Sequence, residues 1–145
     1  VIVVADTSGL LAAFDENDQV HEAAARVVDT RTLLISPLVL TELDYLTRRE
    51  RGFGFATAVL ETMLSRFKSG FYSLAKVDVD DFETAYEVRG EYAGLELDLA
   101  DTIGVALAHR YGTNEIFTLD QRDFRAIKPL TAGFDAFKIL PYDVD

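Results

Sequence analysis

No cysteine occurs in the 145 residues, and histidine occurs only twice. The first absence excludes disulfides, thiolate catalysis and cysteine-ligated zinc; the second leaves too little imidazole for a histidine-rich metal site. Any metal bound by this chain must be held through oxygen. Long apolar runs are also missing. VIVVA (1–5) and LLISPLVL (33–40) fall well short of the roughly 18 uncharged residues of a membrane span. No basic region or small-residue cleavage site stands before the first apolar run, so a cytoplasmic protein is expected. Basic residues are scarce: 14 against 25 acidic ones, a formal net charge of -11. That balance is the opposite of a free-standing nucleic-acid binder's, although Arg48, Arg49 and Arg51 are close enough to form one basic face, or simply a solvated helix end. No low-complexity segment, repeat or Pro/Gly-rich linker divides the chain, and a single domain over 1–145 is expected.

What is present is an alternation of element types. VIVVA is a β-branched run suited to a strand covered on both faces, and Asp6-Thr7-Ser8-Gly9 then opens a helical turn at LLAAF. Asn17 or Asp18 can cap a helix running to about residue 30, before the strand TLLIS. Ser36-Pro37 reads as N-cap and first helical residue, with Leu38, Val39, Leu43 and Leu46 towards the core and Glu42 one turn in. A helix over roughly 54–67, a strand FYSLA (71–75) and a helix Asp80–Tyr92 with Phe82 and Tyr86, and with them Ala85 and Arg89, at helical spacing follow. Leu99 to Tyr111 is apolar around most of its circumference and predicts a buried central helix with Asp98 and Asp101 at its N-terminus. EIFTL is a fourth strand with Asp120 just beyond it, and FKIL (137–140) a fifth. Strands alternating with helices predict an α/β fold: a mostly parallel sheet of four to five strands with helices on both faces.

In such a sheet ligands bind beyond the carboxyl ends of the strands. Asp6 and Asp120 fall there, Asp101 enters from the same side, and the long side chain of Glu42 can lean back towards that edge. Clustered carboxylates repel one another unless a cation neutralises them. With oxygen ligands only, Mg²⁺ or Mn²⁺ is the natural choice, and such an ion suits phosphodiester hydrolysis. Each acid also has a plainer reading: Asp6 as a cap, Asp101 as a first-turn residue behind the cap Asp98, Glu42 as a solvated helix residue. Asp120 and Asp123 can both serve as turn or cap residues, the preferred reading for Asp123.

The ordered motifs ADTSGLLA, SPLVLTELDYL, LDLADTIGVALAHRYG and IFTLDQRDF resemble those of the PIN-domain ribonucleases over nearly the whole chain. Within them the chain looks most like the VapC-type toxins of VapBC toxin–antitoxin pairs. The resemblance implies a PIN-like three-layer sandwich and an Mg²⁺- or Mn²⁺-dependent endoribonuclease acting on structured RNA, transfer or ribosomal. It also implies a small VapB-type antitoxin as partner, and a homodimer or toxin–antitoxin hetero-oligomer. Asp6, Glu42, Asp101 and Asp120 match the family's four acids, both as metal ligands and as catalytic residues, and Thr7 or Ser8, with Thr118, match supporting polar positions. Asp98 carries no family role and is expected to cap.

Two other readings compete. An Asp after the first strand can be a phosphoryl-accepting nucleophile, but the second Asp expected two residues later is replaced by Ser8. A non-catalytic domain binding an ion through the same acids is the other. His21 and His109 read as helix-surface and helix C-terminal residues. Phe53, Phe55, Phe67, Phe71 and Tyr72 fit core or dimer packing better than base stacking.

Overall fold

A computed structural model describes residues 1–144. Five strands form one sheet: β1 (Ile2–Ala5), β2 (Thr32–Ile35), β3 (Tyr72–Leu74), β4 (Glu115–Phe117) and β5 (Lys138–Leu140). All neighbours are parallel and the order is β3-β2-β1-β4-β5. Parallel strands need crossovers, and right-handed crossovers place helices on one face while the order runs one way and on the other once it reverses. The chain follows that rule. Helices α1 (Thr7–Phe14), α2 (His21–Thr30), α3 (Pro37–Arg51) and α4 (Phe53–Lys68) pack with Val3, Ala5, Leu33 and Ile35. On the other face, α5 (Val79–Glu91), α6 (Leu99–Arg110) and α7 (Gln121–Ala126) pack with Val4, Leu34, Ile116 and Ile139. The period-2 alternation of each strand thus feeds two cores, and the expected three-layer arrangement is present.

Local chemistry sets the helix starts. Ser36 Oγ accepts the Val39 N–H at 3.2 Å with Pro37 at the first helical position. Asp98 Oδ1 accepts the Asp101 N–H at 2.8 Å, so Asp98 is the cap of α6, as its position predicts. α6 buries Asp101, Thr102, Ile103 and Val105 through Ala108, in keeping with a central helix.

Three sequence expectations need correction. α2 begins at His21 rather than at Asn17 or Asp18, because Asp18 Oδ1 accepts the Val20 N–H at 2.9 Å and holds a turn ahead of the helix. On α3 the fully buried stripe is Val39, Leu43 and Thr47, with Leu46 only half-buried; Thr47 satisfies its hydroxyl on the Leu43 carbonyl at 2.8 Å. On α5 the spacing of Phe82 and Tyr86 does not mark the core face, for Tyr86 is 79% exposed and the buried positions are Asp81, Ala85 and Val88. Asp81 can lie inside because it completes a capping box with Asp78 and pairs with Arg110 at 2.6 Å.

Candidate metal centre

The strand order reverses between β1 and β4, and diverging crossovers leave a crevice at their carboxyl ends. Asp6 follows β1 directly, its N–H extending the ladder to the Phe117 carbonyl at 2.8 Å. Its side chain does not cap α1. Instead Asp6 Oδ2 accepts hydrogen bonds from Thr118 Oγ1 at 2.7 Å and Ser8 Oγ at 3.1 Å. Those two hydroxyls lie 3.1 Å apart and each is itself held by a backbone donor: Leu119 N–H to Ser8 at 2.9 Å and Asp120 N–H to Thr118 at 3.0 Å. The rotation of the Asp6 carboxylate is therefore fixed by the first turn of α1 and by the chain leaving β4. Of the supporting residues suggested by sequence, Ser8 and Thr118 take this role. Thr7 does not: its hydroxyl is buried without a hydrogen-bond partner.

Three further acids converge beside Asp6. Carboxylate oxygens of Asp101, Asp120 and Asp123 lie within 4.8 Å of one another. Asp101 is 91% inaccessible in the first turn of α6. Asp120 caps α7 by accepting the Asp123 N–H at 3.1 Å, and Asp123 stands in the first turn of that helix. Sequence suggests a turn or cap residue at Asp123; Asp120 does the capping, and the Asp123 carboxylate also lies within reach of Asp101 and Asp120. The D-x-x-D spacing puts two acids on one helix end, but it is equally the pattern of a cap and its first-turn acid. Glu42 is not in this group of three. Half-buried on α3, it lines a groove of about 670 Å³ with Leu38, Tyr45, Asp98 and Leu99.

The electrostatics follow from the crowding. Burial, and then the charges of Asp6, Asp98, Asp120 and Asp123, push the Asp101 carboxyl up to about 9 from an ordinary 3.8. Asp6 is also raised, by burial above all, with the hydrogen bonds from Thr118 and Ser8 working against the shift. Asp123 is raised by desolvation first and by Asp120 next. A cation relieves all three conflicts together. Asp101, Asp120 and Asp123 are close enough that their carboxylates would be the ones to hold such an ion. The donor set, oxygen alone and anionic, fits a hard divalent cation.

Acidic oxygens gathered at the switch point of an all-parallel α/β sheet define a divalent-cation centre of the kind nucleases use for phosphodiester hydrolysis. The chain belongs to the PIN domain family, whose model matches residues 3–129, and within it to the ribonucleases of VapC type. It is 35% identical over 141 residues to Ribonuclease VapC26 of Mycobacterium tuberculosis, covering 96% of this chain and 100% of the relative. Among solved structures it is similar to VapC20 of Mycobacterium tuberculosis, a toxin that cleaves the sarcin–ricin loop. That likeness has a TM-score of 0.76 and 26% identity over 92% of this chain and 96% of the other. VapBC2 of Rickettsia felis, bound to promoter DNA, matches with a TM-score of 0.68 at 18% identity over 90% of this chain and 96% of the other, a likeness of fold alone. Nucleases of this family use a divalent metal, and the acidic cluster provides for one. No helix among the described residues is long and apolar enough to cross a membrane.

Proposed function

We propose that the chain is an Mg²⁺-dependent endoribonuclease toxin, with Mn²⁺ as a competent substitute, that cuts structured transfer or ribosomal RNA in the cytoplasm. A small VapB-type antitoxin holds it in check, and it works from a homodimer or a toxin–antitoxin assembly. The observation that carries this reading is the crowding of Asp101, Asp120 and Asp123 within 4.8 Å beside the half-buried Asp6. The sarcin–ricin-loop cleavage by the similar VapC20 supports a ribosomal or comparably structured RNA, and the fold likeness to VapBC2 supports an antitoxin.

Asp6, Asp101 and Asp120 would hold the ion, three of the four acids the family pattern expects, and Asp123 would join them. Glu42, the fourth acid of the pattern, would serve from the wall of the adjoining groove. When bound, the cation neutralises charge on the scissile phosphate and lowers the pKa of a water for attack. The protein's own contribution is to fix the geometry. Ser8 and Thr118 hold Asp6, and the N-terminal turns of α6 and α7 direct Asp101, Asp120 and Asp123 to one point. An aspartyl phosphate on Asp6 is disfavoured because Ser8 stands where that chemistry calls for a second Asp.

Asp101→Asn removes an acid whose carboxyl is pushed up to about 9 and is expected to abolish Mg²⁺-dependent cleavage while leaving the thermal melt cooperative. Sequencing RNA ends after expression of the wild-type chain and of this variant tests both activity and substrate. Wild-type cleavage by Asp101→Asn, or phosphate found covalently on Asp6, would defeat the reading.

A further inference from the structure

Outside the metal site, a run of arginines and two exposed aromatic rings come together at the end of α3. Arg48, Arg49 and Arg51 fill the last turn of α3 in a chain whose net charge is -11. Arg51 is occupied by Asp15 at 3.1 Å. Arg49 has only a loose, exposed contact of 3.5 Å with Glu50, and Arg48 has no carboxylate partner among the described residues. Both lie instead against exposed aromatic rings: Arg48 is 5.7 Å from the centre of Phe53 and Arg49 5.7 Å from that of Tyr45. Phe53 is 71% exposed and Tyr45 60%, whereas Phe67, Phe71 and Tyr72 join the core. Tyr45 lines the groove that holds Glu42 and Asp98, and also a second hollow of about 340 Å³ formed with Arg48, Arg49 and Phe53. The two hollows thus meet at one side chain. Glu42, Tyr45 and Arg49 follow one stripe of α3, and its two turns carry the track about 10 Å from Glu42 at 1.5 Å per residue.

A macrodipole explains cations at a helix C-terminus, but not why exposed rings stand beside them. Guanidinium groups held against largely exposed aromatic rings match the chemistry of single-stranded nucleic acid, phosphates for the arginines and bases for the rings. An acidic or apolar peptide would use the charge or the rings but has no need of their alternation. We propose that this end of α3 holds the single-stranded RNA flanking the cut bond, with Tyr45 and Phe53 stacking on bases and Arg48 and Arg49 contacting phosphates. The proposal rests on the ribonuclease reading and adds how the acidic chain retains its substrate.

The test measures binding of a fluorescein-labelled mixed-sequence single-stranded RNA to the full chain carrying Asp6→Asn, so that no cleavage intervenes, across a range of salt. Arg48→Gln with Arg49→Gln is expected to lower the slope of log affinity against log salt by about 1.4, from roughly 0.7 per phosphate contact. Arg26→Gln with Lys68→Gln, an equal change of charge elsewhere, leaves the slope unchanged. Tyr45→Ala weakens binding about tenfold and Tyr45→Phe restores it, because stacking needs the ring and not the hydroxyl. All these positions are on the surface, and a thermal melt checks that each variant folds. An unchanged slope in the arginine variant, or equal losses from the two charge pairs, overturns the proposal while Mg²⁺-dependent cleavage by the wild-type chain still upholds the metal site. If the wild-type chain neither binds nor cuts RNA, both readings fail.

Discussion

A single hydroxyl, that of Thr118, links the two halves of the acidic site. It donates to Asp6 at 2.7 Å and accepts the Asp120 N–H at 3.0 Å, in a side chain with no exposed surface. Thr118→Val keeps the shape and removes both bonds, which frees the Asp6 carboxylate to rotate and leaves a buried N–H unpaired. Cleavage is expected to fall about 10- to 100-fold, the scale on which partners that orient metal ligands act, and Thr118→Ser recovers most of it. Rates on an RNA of known cut site, measured for both variants, decide the matter; equal rates for Val and wild type would remove Thr118 from the site. Asp123 makes a second claim at this scale. If its carboxylate shares the ion, Asp123→Asn weakens Mn²⁺ binding by calorimetry at least tenfold. If Asp123 serves only the start of α7, Mn²⁺ affinity is unchanged and only helix stability moves. Nothing in the residue's own sequence context separates these cases, since D-x-x-D is equally the pattern of a cap and its first-turn acid.

Between residues and the molecule stand the helices, whose N-terminal turns direct the acids. α1 is seated on β4 through Gly9, where an added Cβ would meet the Phe117 ring at 2.9 Å. Phe117 is fully buried and cannot give way. Gly9→Ala gains about 1 kcal/mol of helix propensity, but overpacking costs about 1–3 kcal/mol, so a net loss of stability in urea titration is expected, with cleavage reduced because α1 carries Ser8. Gly104→Ala is the contrast: its Cβ meets Val4 only at an ordinary 3.9 Å, so the propensity gain of up to about 1 kcal/mol stands nearly alone and the midpoint rises. These helices also show what the sequence could reveal. β1 and β2 were legible because strands buried on both faces read as continuous apolar runs, and α6 because it is apolar nearly all round. The order β3-β2-β1-β4-β5 was not legible, since strand pairing is non-local and no single segment encodes its neighbours. The edge holding Asp6 and Asp120 still followed from parallel-sheet geometry alone. The face of α5 was hidden because a buried carboxylate, Asp81, stands where periodicity expects an apolar residue, its charge met by Arg110.

For the whole molecule, crowding the acids opposes folding and the ion reverses that opposition. Asp101 rises from 3.8 to about 9, and Asp6 and Asp123 rise too, when no cation is bound. An acid with a raised folded pKa holds protons that the unfolded chain has already released. Between about pH 4 and 9 the native state therefore binds more protons, and stability falls as pH increases through that window. The bidentate pair of Asp143 with Arg125, at 2.8 and 3.1 Å, lowers the Asp143 pKa and works the other way. Its contribution is present above the ordinary carboxylate value and is lost only at more acid pH, outside the range where Asp101 acts. Thermal melts in chelator are thus expected to show a lower midpoint at pH 8 than at pH 5.5. Saturating Mn²⁺ should raise the midpoint more at pH 8 than at pH 5.5, because binding at the lower pH must first expel protons from the acids. Asp101→Asn removes one of these raised carboxyls and its charge on the others, so its chelated melt should show a smaller fall between the two pH values than the wild-type chain. A pH-independent Mn²⁺ effect in the wild-type chain would mean that the ion binds somewhere other than among these carboxylates.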